Sequence, residues 1–196
     1  AGILIEEIIE YTDAEKVRTQ LEVNVYGVHR MIKHFLPLLR SKPGARIINM
    51  SSIAGVLSMF GNQPYSSSKF ALEAMKTEIR SELGPEIADS IIKNRLVDTE
   101  MAAADAHPSD SKIADTSSPY SFYYSTSRDR EAQAKTKIWP ADVTATAILD
   151  AATSRRPSAR YMVAGANGLP SSVLRFIFSL LPSRAADFLV LQPILR

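Results

Sequence analysis

Cysteine is absent from the 196 residues, so neither a disulfide framework nor a thiolate metal site can be built from them. Histidine is scarce as well, with three scattered copies, and no metal site is expected. No charge of one sign prevails. The 23 basic and 21 acidic side chains leave a net charge of +2, with the bases interleaved among acids rather than massed. A nucleic-acid surface needs a basic stripe, so no nucleic-acid partner is expected. Long hydrophobic runs are missing too. The apolar stretches 173–181 and 188–191 fall far short of the roughly 20 residues that span a bilayer, so no transmembrane segment is expected. Glycine is the last scarcity: eight in 196, about 4%, against roughly 7% in average proteins.

What is present is long enough for one domain that buries a core without staples. The chain opens Ala1-Gly2-Ile3-Leu4 and its first methionine is Met31, which suggests a processed chain or a fragment. No basic segment followed by an apolar run marks a secretory signal, and a cytoplasmic location is the expectation.

Thr12-Asp13-Ala14-Glu15 reads as a capping box, a hydroxyl followed three residues later by a carboxylate. Behind it Val17, Leu21, Val28, Met31, Ile32, Phe35 and Leu39 recur at helical spacing and predict one apolar face on a long helix or helix pair. The pattern ends at Lys42-Pro43-Gly44, a turn. Residues 46–50 read as a buried strand ending in Ser51-Ser52, and a loop with Gly55 and Gly61 leads to Pro64, at home in a first helical turn. That helix turns Leu72, Met75, Ile79 and Leu83 inward and stops at Gly84-Pro85. Residues 90–97 predict a second strand and Trp139-Pro140-Ala141-Asp142 a further helix. Residues 160–164 predict a last strand, followed by an apolar C-terminal helix pair. Strands alternating with helices predict an α/β fold around a mostly parallel sheet.

Ligands of such sheets sit beyond the carboxyl ends of the strands, where Ser51 and Ser52 lie. Tyr65 and Lys69 follow at i and i+4, so both side chains leave one face of a helix. A phenol near pKa 10 is a poor base at neutral pH, and a neighbouring ammonium favours its ionised form. Such a tyrosine can exchange a proton with a substrate hydroxyl or carbonyl while the Ser52 hydroxyl bonds the same oxygen. With seven tyrosines in the chain the pair alone is weak, and an exposed helical Tyr and Lys is the ordinary alternative. Asn24, set in the apolar stripe, must be hydrogen-bonded; it is either a core asparagine that kinks its helix or part of the site. It is the order and spacing of all these residues that is rare.

Asn24 within Val-Asn-Val-Tyr-Gly, Ile47-Ile48-Asn49-Met50-Ser51-Ser52-Ile53-Ala54-Gly55, and Pro64-Tyr65-Ser66-Ser67-Ser68-Lys69-Phe70-Ala71-Leu72 together resemble the short-chain dehydrogenase/reductase family. Ala1-Gly2 resembles the end of that family's Asn-Asn-Ala-Gly motif, and the likeness runs over essentially the whole chain. Residues 160–163 and Leu181-Pro182-Ser183-Arg184 resemble members near the retinol and hydroxysteroid dehydrogenases. The resemblance implies a Rossmann-like, doubly wound parallel sheet and an oxidoreductase that interconverts a secondary alcohol with a ketone or aldehyde, on an apolar substrate, using NADP or NAD. Tyr65 would be the general acid/base. Lys69 would tune it and bond the nicotinamide ribose, Ser52 would hold the substrate oxygen, and Asn24 would position a relay water. Val97 and Thr99 would contact the nicotinamide end, and Gly2 would also lie against the cofactor. Residues 100–138, with Tyr120, Phe122, Tyr123 and Tyr124, would form a substrate lid. Family members commonly dimerise or tetramerise through the helices here at 13–40 and 64–83, so a homo-dimer or tetramer is implied.

Two departures stand out. Asn94-Arg95 occupies the place of the family's Pro-Gly ahead of Val97 and Thr99. The family's N-terminal strand, Gly-rich loop and helix, which cradle a pyrophosphate, are not found in the 196 residues; Gly165-Ala166-Asn167-Gly168 reads as a turn. The glycine scarcity follows from that, and the chain is expected to be one N-terminally truncated domain over 1–196. The alternative is a catalytically inactive truncated member that serves as an association module.

Overall fold

The computed structural model describes residues 2–58, 60–84, 86–94, 97–99, 117–121, 139–163, 176 and 180–182. Helix α1 (Ala14–Leu21) passes through a π-helical turn, Glu22–Tyr26, into helix α2 (Gly27–Arg40). Strand β1 (Arg46–Ser52), a 3-10 turn (Ile53–Gly55), helix α3 (Gln63–Leu83) and strand β2 (Ala88–Asn94) follow, then helix α4 (Asp142–Thr153) and strand β3 (Arg160–Met162). The strands form a parallel sheet in the order β1-β2-β3, with Arg46 opposite Ala88, Ser52 opposite Asn94, and Ile91 opposite Arg160.

Alternation along the strands sends successive side chains to opposite faces, and helices cover both. On one face Ile47 packs with Ile79, Leu83 and Ile87, joined by Ile32, Leu36 and Leu39 of α2. On the other Ile92 packs with Ala151 and Val163, joined by Ile48 and Val143. Ile91 and Ile92 are fully buried, each contributing roughly 1.5–3 kcal/mol of transfer free energy. The sheet is therefore doubly wound. Arg46 clips α4 to it, its guanidinium donating to the carbonyls of Ala151 and Ser154 at the end of that helix.

Four expectations need correction. Thr12 does not cap α1: its hydroxyl donates back to the Ile8 carbonyl at 2.8 Å, and the N-cap is Asp13, whose side chain makes no capping bond. Met31 and Phe35 do not face the core but are 59% and 49% exposed, because Ile32, Leu36 and Leu39 already fill the inward side of α2. The second strand begins and ends earlier than predicted, at Ala88 and Asn94, and Val97 makes only an isolated bridge to Trp139. The last strand is Arg160–Met162, shorter than predicted. Most of the C-terminal helix pair, Arg95, Phe122, Tyr123, Tyr124 and the 165–168 turn lie outside the described residues, as does most of 100–138.

Candidate active site

The site grows from the carboxyl end of β1. Ser51 and Ser52 are its last residues, both buried, and Ser52 Oγ accepts the Ala54 amide at 3.2 Å, starting the turn Ile53–Gly55. That bond leaves the Ser52 hydroxyl proton available to a ligand oxygen. The turn then runs against α3 so closely that only glycine fits at its end. A Cβ on Gly55 would stand 2.9 Å from the Lys69 carbonyl oxygen, 2.9 Å from Ser51 Oγ and 3.1 Å from the Lys69 carbonyl carbon.

Helix α3 begins at Gln63 with Pro64 in its first turn and ends at Leu83, capped by Gly84. Tyr65 and Lys69 are one turn apart on it, and Lys69 Nζ lies 5.3 Å from the centre of the Tyr65 ring. Lys69 is only 8% exposed, and its ammonium donates to the Met50 carbonyl of β1 at 3.1 Å. Burial pushes its pKa down from 10.5 to about 8.

Asn24 reaches the same helix from the other side. Its Nδ2 donates to Ser68 Oγ at 3.1 Å and to the Ile3 carbonyl at 3.0 Å, while its Oδ1 accepts the Ile3 amide at 2.9 Å. Ser68 in turn donates to the Tyr65 carbonyl at 2.7 Å. Asn24 therefore ties three segments together: 2–6, the π-helical turn and the first turns of α3. Asn24 sits in this π-helical turn, which widens the helix where the asparagine points inward. Gly2, just ahead of Ile3, lies at the start of the first of these segments.

The register of β1 on β2 sets Ser52 beside Asn94, so Val97 and Thr99 continue from the strand end next to the serine. Val97 is buried; Thr99 is exposed, its hydroxyl donating to the Val97 carbonyl at 3.3 Å. The structure thus gathers Ser52, Tyr65, Lys69 and Asn24 around the first half of α3, with Val97 and Thr99 beyond the neighbouring strand.

Sequence reasoning missed several residues of this region. Gln20, fully buried, donates to the Ile3 carbonyl and accepts the Ile5 amide, so it works with Asn24 one turn away. An amide at i−4 from Asn24 was the available signal. Lys93 Nζ lies 2.6 Å from Glu73 Oε2, and Lys76 Nζ 3.8 Å from Asp89 Oδ2, all four side chains largely buried between α3 and β2. Burial pushes Lys76 down and Asp89 up, each partly offset by the other's charge.

An aromatic group stands beside the entrance to α3. Glu7 bridges the backbone of Asn62, just before the helix. Beyond it Tyr11 meets Tyr120 edge-on with ring centres 5.6 Å apart, Phe60 lies 6.5 Å from Tyr120, and the Tyr120 hydroxyl donates to Glu10 Oε2 at 2.6 Å. A cavity of about 440 Å³ lies elsewhere, at the amino ends of the strands, bounded by Arg80, Ala88, Asp89 and Ala159. Among the described residues no group of three or more His, Asp or Glu could hold a metal, and no helix is long and apolar enough to cross a membrane.

Residues 1–110 match the family model described as short chain dehydrogenase. Over 85 residues the chain is 42% identical to the "Probable short-chain type dehydrogenase/reductase VdlC" of Helicobacter pylori, covering 43% of this chain and 31% of that protein. The matched stretch spans about a third of the length of this relative and of a similar oxidoreductase of Bacillus subtilis. A crystal structure of a short-chain dehydrogenase from Streptomyces avermitilis superposes with a TM-score of 0.69 at 22% identity, over 100% of this chain and 67% of that one. A short-chain dehydrogenase of Escherichia coli solved with NADPH is 25% identical, with a TM-score of 0.51 over 54% of this chain and 45% of that one.

Proposed function

The chain belongs to the short-chain dehydrogenase family, and from that premise we propose that it interconverts a secondary alcohol and a ketone or aldehyde with NADP or NAD, with Tyr65 as general acid/base. One observation carries the reading: Lys69 Nζ is buried 5.3 Å from the Tyr65 ring, on a helix whose backbone is in contact with the turn that begins at Ser52.

The residues fit the nicotinamide end of such a cofactor. Lys69 spends one donor on Met50 and keeps two for ribose hydroxyls, and Val97 and Thr99 follow from the adjoining strand end. Gly2 is assigned to the cofactor as well, as the residue just ahead of Ile3, which Asn24 holds. The NADPH held by the Escherichia coli protein supports this class of cofactor. When bound, the nicotinamide supplies hydride acceptance or donation. The protein's own work is proton transfer and orientation. In oxidation the Tyr65 phenolate takes the hydroxyl proton of the alcohol, and the Ser52 hydroxyl donates to the same oxygen and fixes its place. In reduction Tyr65 returns the proton. The Lys69 ammonium favours the phenolate. Asn24, its amide bonded to Ile3 and Ser68, positions a relay water beyond Lys69. The rings of Tyr11, Phe60 and Tyr120 support an apolar small-molecule substrate.

Titrating NADPH and NADH into the purified chain tests this reading, with nicotinamide fluorescence and melting temperature as readouts. Enhanced fluorescence and a saturable upward shift are expected, followed by alcohol-dependent formation of reduced nicotinamide. No fluorescence change and no shift at millimolar cofactor would sink it.

A second reading, association, draws on a different observation. Met31, Phe35 and Leu38, at i, i+4 and i+7 on the outer side of α2, are 59%, 49% and 63% exposed. This stripe supports a homo-dimer or tetramer. Sedimentation is expected to show an oligomer that Met31→Glu with Phe35→Lys converts to a folded monomer. A monomeric wild type at high concentration removes the idea.

A further inference from the structure

Helix α3 meets the sheet through two chemically different stretches. Its last turns are apolar, with Ile79 and Leu83 closing on Ile47 and Ile87. From the first turn, which bears Tyr65, to just past the middle it buries Ser66, Ser68, Lys69 and Lys76 alongside Leu72. The stretch that matters for chemistry is therefore held largely by polar tethers.

Three charged residues make those tethers from one helical face. Lys69, Glu73 and Lys76 stand at i, i+4 and i+7. Lys69 Nζ donates to the Met50 carbonyl at 3.1 Å, Glu73 Oε2 accepts from Lys93 Nζ at 2.6 Å, and Lys76 Nζ lies 3.8 Å from Asp89 Oδ2. Asp89 and Lys93 share one face of β2 with Ile91 between them, because side chains alternate along a strand. The two ion pairs differ. Glu73–Lys93 is in close contact, whereas the Lys76 ammonium has no hydrogen-bond partner among the described residues.

A buried ion pair adds little net stability over an apolar pair, but an unpaired or mispaired member costs heavily. The helix order positive, negative, positive makes that cost selective. Sliding α3 by one turn in either direction would set Lys69 or Lys76 against Lys93, like against like. One register survives.

We infer that Glu73 and Lys93 are positioning residues of the site: their ion pair locks the turn of α3 next to Lys69 onto the end of β2, from which Val97 and Thr99 continue. Val97 and Thr99 take their role here from the proposed function, while the register itself follows from the contacts alone. Lys93 and Glu73 act through Lys69 and the strand end, not on substrate.

The experiment pairs hydrogen exchange of the free chain with cofactor titration, so that the two ideas can fail separately. Lys93→Met strands Glu73; Lys93→Arg keeps the charge; Lys76→Met combined with Asp89→Asn removes the looser pair altogether. In Lys93→Met, amides of residues 63–70 are expected to exchange at least tenfold faster and the cofactor KM to rise about tenfold with a smaller change in kcat. Lys93→Arg is expected to restore both. The double variant is expected to leave both near wild type, whatever it does to the melting temperature. Glu73→Gln, of the same shape, is read in the same way should Lys93→Met not accumulate. Unchanged exchange at 63–70, or exchange that simply tracks melting temperature across all variants, overturns the inference. A wild type that binds no cofactor but shows the exchange pattern overturns the proposed function and leaves the positioning intact.

Discussion

Gly55→Ala is expected to lower cofactor-dependent turnover by about a hundredfold and to cost about 2 kcal/mol of stability. The added Cβ would meet the carbonyl oxygen and carbon of Lys69 at 2.9 and 3.1 Å, and both are backbone atoms that no rotamer change can clear. Either the turn after Ser52 or the helix at Lys69 must move. Both carry the site, and at Gly55 the turn meets the backbone of α3 directly. Ser51 Oγ, at 2.9 Å, closes the third direction. Gly84→Ala is the control. It sits at the far end of the same helix, at φ 57° and ψ −144° with nothing within 4 Å of the added carbon, so its cost is backbone strain of ~1–3 kcal/mol. Urea denaturation is expected to show comparable losses for the two variants, while initial rates fall only for Gly55→Ala. Equal rates for the two would show that the close approach does not position the site.

That close approach illustrates what the sequence makes legible and what it does not. Tyr65 and Lys69 could be read directly, because helical spacing alone puts them on one face. Ser52 could be read from its place at a strand end. The requirement for glycine at 55 belongs to tertiary contact and shows in the sequence only as one more glycine. Asn24 announced itself as an amide in an apolar stripe. Its partners did not, because Ile3 and Ser68 are backbone and hydroxyl groups brought in from 21 and 44 residues away. The buried charges were the least legible. Glu73, Lys76, Asp89 and Lys93 carry no sign of burial in the sequence, since charged residues are almost never fully buried unless paired, and the pairing spans two elements. The stripe of α2 misled in the opposite sense. Its helix is apolar on two sides, and periodicity does not say which side the core takes.

Lys69→Met is expected to abolish turnover, by on the order of a thousandfold, and yet to stabilise the free protein at pH 7. The activity loss follows from removing the ammonium that favours the Tyr65 phenolate and offers donors to the ribose. Tyr65→Phe, which removes the proton-transfer group itself, is expected to lose turnover to a similar degree without the gain in stability. The gain follows from linkage. Burial holds the Lys69 pKa at about 8 against 10.5 in the unfolded chain. Between those pH values the folded protein binds fewer protons than the unfolded one, so stability rises with pH across the interval. Below about pH 8 the full cost of burying the ammonium is present, ~3 kcal/mol for a shift of this size; above about 10.5 it is gone. Methionine never bears that cost, although it gives up the hydrogen bond to Met50 and the contact with the Tyr65 ring, together ~2 kcal/mol. A net gain of ~1 kcal/mol at pH 7 is the balance. Lys76 titrates in both proteins, so the difference between them isolates Lys69. Urea denaturation of both at pH 7 and pH 10 is the measurement: the variant should lead at pH 7 and lose that lead as the wild type sheds its proton. A wild type more stable than Lys69→Met at pH 7, with a gap that does not depend on pH, would show that the lysine is not held in a desolvated state and that the site is not strained for its chemistry.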